Sequence, residues 1–297
     1  METTLIILSY NTAEYSKSLI KSALCFGIEI KFIMVVDNFS PDKDHLKIKK
    51  AFDNELRVIR TKKNLGYGKA FNYAVQFCDT KFVCFLNSDI IFLNNPFPKL
   101  QSTYFSKKNC GILGVKQLYP DLSPQRSHGY YLSLKEILSK IFFLHKLLPF
   151  WNIFENEIQK VEYVDGALIF TSLKNFESIN GFDDDFFFYF EDMDLSKRMN
   201  QKGLKNFIIN DQKIIHERGF STNKRGSKIS DFSIHNFNKS LIIYVEKNLK
   251  IYKNIYYFLL LLNTIKQLII HSFLKTKTSD YNIIRNKSLI KTIFKSK

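Results

Sequence analysis

The chain has 297 residues, 45% of them hydrophobic, with 29 Phe and 15 Tyr, a composition that excludes a disordered or low-complexity protein. That length suffices for one large domain or a domain with an appendage. The formal net charge is +16 and unevenly placed: from Asn223 onward, 15 Lys and Arg stand against three acids (Asp231, Glu246, Asp280), a net +12 in the last 75 residues. Such asymmetry points to an anionic partner, membrane or nucleic acid. A drift toward Lys, Asn and Ile, visible along the whole chain, would raise the charge with no partner at all. Cys25, Cys78, Cys84 and Cys110 show no C-x-x-C pairing or metal-ligand spacing, which fits a reducing compartment. The start has no basic n-region, and its apolar run, residues 5–8, is too short for a signal peptide. Both features lead to the expectation of a cytosolic chain.

Residues 4–9 (TLIILS) predict a buried strand and residues 13–26 a helix, with apolar positions at Tyr15, Leu19, Ala23 and Phe26. Residues 31–36 (KFIMVV) predict a second strand ending at Asp37 and Asn38. After the break at Ser40-Pro41-Asp42 come a helix over 44–52 and a third strand over 56–60. Asn64-Leu65-Gly66-Tyr67-Gly68 opens a helix running to about Cys78, and residues 81–86 (KFVCFL) form a fourth strand stopping at Asn87-Ser88-Asp89. Strand alternating with helix predicts a parallel α/β sheet, with polar clusters at the carboxyl ends of its strands, where such sheets bind ligands. Further strands are expected over 111–116 and 162–171 and up to His216, with helices over 132–154, 173–179 and 192–203. Beyond Asn223 only helices are expected, over 229–250 and 251–274. Residues 258–274 fit an interfacial amphipathic helix or a packed one better than a membrane span, because Asn263, Lys266, Gln267 and His271 interrupt them.

The most distinctive stretch is residues 181–198, GFDDDFFFYFEDMDLSKR. Six carboxylates within twelve residues surround the five rings Phe186, Phe187, Phe188, Tyr189 and Phe190. A solvated acidic face would not carry those rings, so they are expected to enter a core and wall Glu191 and Asp192 at its edge, where restricted solvation suits a carboxylate to hold a cation or a proton. Asp183, Asp184 and Asp185 form a solvated turn rather than a second metal site. Four strand-end clusters should share one rim. Tyr10-Asn11 and Asp37-Asn38 suit a base and ribose; Gly66 and Gly68 permit an anion at a helix N-terminus. Asp89 suits Mg2+ or Mn2+ against a diphosphate. His45, His128, His145, His235 and His271 have no nameable partners and read as structural or surface residues. Lys224, Arg225 and Lys228 form a solvated loop or a lid over the diphosphate.

In order, the motifs SYN, VVDN-x-S, NLGYGKAFN, FLNSD, GA-x-x-F, the acidic-aromatic stretch and a following His resemble the family-2 glycosyltransferases of GT-A fold, above all their rhamnosyltransferase-like group. The resemblance covers roughly residues 3–222. It implies inverting transfer of a sugar from a nucleoside-diphosphate donor. Tyr10, Asn11, Asp37, Asn38, Asn64, Gly66, Lys69, Asn87 and Ser88 fall at nucleotide- or donor-binding positions. Asn87-Ser88-Asp89 sits where the family has its D-x-D metal motif, with Asn in first place, so Asp89 is the metal ligand and His216 its partner. Asp192 matches the family's catalytic base; Glu191 orients the acceptor or is itself the base. Asp165 and Gly166 lie near the acceptor or donor sugar.

The resulting expectation is a GT-A domain over 1–222, with a nucleotide-binding half over 1–117 and an acceptor-binding half over 118–222, followed by a basic helical extension over 223–297. The donor nucleotide is dTDP or UDP and the best-guess sugar rhamnose. The acceptor is a polysaccharide or polyprenyl-linked glycan, met at the inner face of the cytoplasmic membrane. A non-catalytic nucleotide-sugar-binding protein is the competing reading, and the retained Asp89, Glu191, Asp192 and His216 weigh against it. A basic nucleic-acid-binding protein is the last-ranked alternative, with no nucleic acid expected as a partner, because the positive charge lies in a helical tail rather than around the strand-end pocket.

Overall fold

The computed structural model describes residues 2–143, 156–217, 231–273 and 279–295. The basic loop with Lys224, Arg225 and Lys228, and residues 144–154 of the expected aromatic helix, lie outside the described residues.

Strand and helix alternate from the start: β1 (Thr3–Ser9), α1 (Ala13–Cys25), β2 (Ile33–Asp37), α2 (Asp44–Ala51), β3 (Arg57–Arg60), α3 (Tyr67–Val75) and β4 (Phe82–Asn87). β1, β2 and β4 bury nearly every side chain. A strand covered on both faces reads as an unbroken apolar run, which is why these three are plain in the sequence. There follow β5 (Ile90–Phe92), α4 (Phe97–Ser106), β6 (Cys110–Leu118), β7 (Pro124–Gln125), β8 (His128–Gly129), α5 (Leu134–Ile141) and β9 (Ile158–Val161). β10 (Tyr163–Val164), β11 (Leu168–Ser172), α6 (Leu173–Ser178), α7 (Glu191–Gln201) and β12 (Lys205–His216) complete the sheet region. Three helices close the chain: α8 (Asp231–Asn248), α9 (Lys253–Phe273) and α10 (Ser279–Lys295). The single strand expected over 162–171 is two, β10 and β11, parted by Asp165, Gly166 and Ala167. β5, β7, β8, β9, α4 and α10 were not expected. The strands among them are two to four residues long, too short to show a period.

The main sheet runs β3-β2-β1-β4-β11-β6-β12-β5. Its first four strands are parallel. β11 then enters antiparallel to both β4 and β6, and β12 lies parallel to β6. One consequence governs the site. The carboxyl ends of β1, β2, β4, β6 and β12 open on the same rim as the amino end of β11. Asp165 and Gly166, which precede β11, therefore share that rim with Tyr10, Asp37, Asp89 and His216.

The chain divides into two compact units. The first comprises Met1–Tyr130, Trp151–Phe187 and Glu191–Ser221 and holds the sheet. The second comprises Tyr131–Phe150, Phe188–Phe190 and Thr222–Lys297; in it α9 packs on α5 and α10. The expected wall of five rings is thereby divided. Phe186 is fully buried in the first unit, and Phe187 lies against Gly66. In the second, Phe188 accepts a hydrogen bond from Ser240 Oγ (2.9 Å), while Tyr189 and Phe190 pack on Phe237 and Phe190 also on Tyr244.

Within the first unit an aromatic cluster ties α3, β4 and α6 to the segment after Gly181. Phe182 sits 5.2 Å from Phe85, 5.5 Å from Phe176 and 5.9 Å from Phe71, ring centre to ring centre. A buried polar hub holds the ends of β1 and β2. Asp44 Oδ2 accepts from Thr12 N (2.7 Å), Ser9 Oγ (3.3 Å) and Ser40 Oγ (3.3 Å). Replacing this carboxylate by a methyl leaves those donors unsatisfied away from water. Asp44→Ala should therefore lower unfolding free energy by about 2–4 kcal/mol in urea denaturation; a loss under about 0.5 kcal/mol, the range of an ordinary surface change, would refute the hub.

Candidate active site

At the ends of β1 and β2, structure sorts the expected nucleoside residues into those that face outward and those that build the loop. Tyr10 is exposed. Asn11 has φ 55° and a buried Oδ1 with no hydrogen-bond partner, an acceptor left for an incoming N–H or O–H donor. Asp37 is different: it is fully buried. Its Oδ1 accepts from Ser40 N (2.8 Å), and its Oδ2 meets His45 Nδ1 (2.8 Å) and Arg60 Nε (3.4 Å). That carboxylate shapes the pocket rather than offering a free oxygen. Asn38 is equally committed, donating to Asn64 Oδ1 and Gly66 O and accepting from Leu65 N. Arg60, which sequence reasoning passed over, places its guanidinium 4.9 Å from the Phe39 ring centre.

The expected anion site at the start of α3 needs correction. Leu65 N donates to Asn38, Gly66 N to Asn64 and Tyr67 N to the Phe187 carbonyl, so three successive amides already have protein acceptors. Gly66 has φ 82°, and a Cβ there would run into the Phe187 carbonyl; one on Gly68 would lie 2.7 Å from Phe182 Cβ. Both glycines make room for the acidic-aromatic segment, not for a phosphate. Lys69 likewise pairs with Asp184 at 3.6 Å, and Asn72 Nδ2 donates to the Phe182 carbonyl. In the same segment Asp183 Oδ1 accepts from Asp185 N, the turn that was expected. Arg198 fastens α7 by donating to Asp194 and to the Ile179 and Gly181 carbonyls.

Asp89 follows β4, and antiparallel pairing of β12 with β5 sets His216 opposite Ile90. His216 Nε2 lies 3.4 Å from Asp89 Oδ1. On the other side of the ring, Nδ1 is 3.0 Å from Gln117 Oε1 and 2.9 Å from Gln125 Oε1. Both amides are oriented independently, since Gln125 Nε2 donates to the His216 carbonyl and Gln117 Nε2 to Asp165. Nδ1 therefore carries the proton, and in the neutral ring the Nε2 lone pair faces a carboxylate oxygen. Two acceptors so placed call for a proton or a cation between them. The donor set thus fits a divalent ion with two protein ligands, diphosphate oxygens or water filling the rest. Asn87 offers an amide here, its Nδ2 3.5 Å from His216 Nε2. Ser88 Oγ donates to Thr12 Oγ1 (2.9 Å) and is spent on the scaffold. Among the described residues no cluster of three His, Cys, Asp or Glu ligands occurs.

α7 begins at Glu191. Asp192 Oδ1 accepts from Met193 N (2.7 Å) and Oδ2 from Gly166 N (3.0 Å). Burial, then the charge of Asp165, outweighs these hydrogen bonds and raises the Asp192 carboxyl to about 6. Glu191 is buried, and its Oε2 has no hydrogen-bond partner. Burial and the charge of Asp192 push it well above the usual carboxylate range. Asp165 is buried and holds Ala167 N at 3.3 Å. The hub of the group is Tyr67, a buried phenol that donates to the Gly166 carbonyl and feels the charges of Glu191, Asp192, Asp165 and Asp89. Arg126, between β7 and β8, was missed by sequence reasoning because no motif marks it. Desolvation opposes its charge, but Tyr163, Asp165 and Asp192 hold it more firmly protonated.

Gly66→Ala adds a methyl at a positive φ against a carbonyl that must stay put to bond Tyr67 N. It should destabilise the protein by about 2–4 kcal/mol and lower activity together. A fully stable, fully active Gly66→Ala protein would show that the α3 entrance does not seat this segment.

A family model described as glycosyl transferase family 2 matches residues 4–156, just over half of the chain. The N-acetylglucosaminyl-diphospho-decaprenol L-rhamnosyltransferase of Mycobacterium tuberculosis is 24% identical over 216 residues, 65% of this chain and 68% of that one. Among solved structures, the mannosyltransferase PcManGT from Pyrobaculum calidifontis, in complex with GDP-Man and Mn2+, superposes with TM-score 0.63 at 13% identity, over 99% of this chain and 86% of that one. GalNAc-T7 with UDP, GalNAc and Mn2+ gives TM-score 0.56 at 16% identity, over 72% of this chain, which spans only 42% of that chain. At such identities the solved structures speak for the fold, while the family model speaks for membership. The chain belongs to glycosyl transferase family 2 and has the GT-A fold.

Proposed function

We propose that the protein is an inverting glycosyltransferase that moves a sugar, rhamnose as first choice, from a dTDP- or UDP-linked donor to a lipid-linked or polysaccharide acceptor. It does so at the inner face of the cytoplasmic membrane, in the synthesis of a cell-surface glycan. The observation that carries this reading is Asp192, held at about 6 on the rim that also presents Asp89 and His216. A relative whose name specifies rhamnose transfer to a decaprenol-linked acceptor supports the sugar and the acceptor class. Neighbours solved with UDP and GDP-Man support a nucleotide-sugar donor.

In this mechanism Asp192, ionised at neutral pH, takes the proton of the acceptor hydroxyl as its oxygen bonds the anomeric carbon from the face opposite the leaving diphosphate. Hydrogen bonds from Gly166 N and Met193 N aim the carboxylate. Burial and the charge of Asp192 make Glu191 hold its proton more tightly than an ordinary carboxyl, and Glu191 orients the acceptor. Tyr10 and Asn11 hold the nucleoside, and Arg126 offsets negative charge beside Asp165 and Asp192. Asp89 and His216 would hold Mg2+ or Mn2+, whose charge offsets that gathering on the leaving diphosphate.

The reading is tested by nucleotide release from a donor panel with Mn2+; no turnover or hydrolysis with any donor would sink it. Asp192→Asn should cut kcat about 100- to 10,000-fold, whereas Glu191→Gln, which keeps the neutral form, should stay within about tenfold of wild type. The reverse pattern would make Glu191 the base.

The pH dependence follows. kcat/KM should fall as pH drops through about 6, where Asp192 gains its proton. Stability should run the other way. The fold holds the Asp192 carboxyl at about 6 against 3.8 for a model aspartate, so it binds an extra proton between those values and loses stability as pH rises through them. Asp192→Asn should accordingly raise the melting temperature at neutral pH. A lowered one would show that the carboxylate stabilises the fold.

A further inference from the structure

α9 turns two unlike faces. Tyr256, Tyr257, Leu260 and Thr264 are buried, on a helix packed against α5 and α10. Ile255, Phe258, Leu262, Ile265, Ile269 and Phe273 are instead 42–82% exposed. At 100° and 1.5 Å per residue, these six form a stripe about 80° wide and about 27 Å long. Large apolar side chains scattered singly need no explanation; six in register on one helix face mark a contact surface. Phe143, also exposed, extends the patch sideways. Lys266 Nζ sits 3.9 Å from its ring centre and donates to the Lys140 and Ile141 carbonyls at the end of α5.

The charge identifies what this face meets. The second unit carries 18 Lys and Arg against four acids (Glu136, Asp231, Glu246 and Asp280), +14 of the chain's +16, which leaves the sheet-bearing unit at +2. Two copies joined through this face would bring two such charges together. A nucleic acid would use the lysines but leave Ile, Leu and Phe facing water. An anionic bilayer satisfies both, taking the apolar stripe below its headgroups and the lysines at their level.

We propose that the outward stripe of α9 is the membrane-seating surface of the protein, lying in the interface of an anionic bilayer rather than crossing it. An 18-residue window of this 21-residue helix reaches a mean hydropathy of 1.2, but the inner face is occupied by protein, and Asn263, Lys266 and Gln267 stand in mid-helix. The inference rests on the proposed lipid-linked acceptor, which gives such seating its purpose.

The test uses the full-length protein and two vesicle types, phosphatidylcholine alone and equal parts phosphatidylcholine and phosphatidylglycerol. Wild type should float with the anionic vesicles, much less with the neutral ones, and less again at high salt. Phe258→Ser combined with Ile269→Ser should reduce anionic flotation at least about tenfold while leaving the thermal melt and vesicle-free nucleotide release unchanged. Failure of wild type to float, or equal flotation of the double variant, would overturn the proposal. So would light scattering that shows a wild-type dimer dissolved by the same substitutions. Flotation intact without nucleotide release would instead remove the glycosyl-transfer reading and leave this surface standing.

Discussion

The site depends on the fit between the start of α3 and the segment after Gly181. Gly66 has no side chain where Phe187 crosses it, Tyr67 N bonds the Phe187 carbonyl, and Phe182 drops into the ring cluster of Phe71, Phe85 and Phe176. This apolar anchoring brings Glu191 and Asp192 to the boundary of a core, where a carboxylate alone would not go. Their raised proton affinities follow from that placement: burial comes first, and neighbouring charge second. Aromatic packing supplies the free energy, and the acids receive the environment it creates.

A second constraint is topological. Reversal of β11 between β4 and β6 brings Asp165 and Gly166 to the rim that the parallel strands already share. Gly166 can then hold Asp192 by its amide and Tyr67 by its carbonyl. Gln117 at the end of β6 serves both halves, bonding Asp165 with one end and His216 with the other. Asp165, next to the Gly166 that holds Asp192, and the Asp89–His216 pair are thus linked by one buried amide, so a shift at either would be felt at the other.

The legible part of the molecule was the part where burial writes a pattern. β1, β2 and β4 are unbroken apolar runs, and the polar residues at their ends mark the rim in the sequence itself. The acidic-aromatic stretch was legible for the same reason, since rings amid carboxylates are costly in water. Arg126, Arg60 and the Gln117–His216–Gln125 arrangement were not legible. Each depends on strands brought together from 91 or more positions away or on a side chain with no motif around it. Gly66 and Gly68 were legible as necessary glycines but misread in purpose, because a glycine that admits a phosphate and one that admits a phenylalanine look alike in sequence.

The residues by themselves determined the order of β1 to β4, the carboxylate-rich motif, the D-x-D-like end of β4 and the concentration of positive charge beyond Asn223. Local periodicity and charge are properties of neighbours in sequence, so sequence suffices for them. Tertiary structure alone decided that Asp37, Asn38 and Ser88 are spent on the scaffold and that Asp192 has its basicity raised by burial and Asp165. It also decided that one face of α9 is left to solvent. Those outcomes turn on which distant groups share a low-dielectric neighbourhood, and only the packed chain sets those distances.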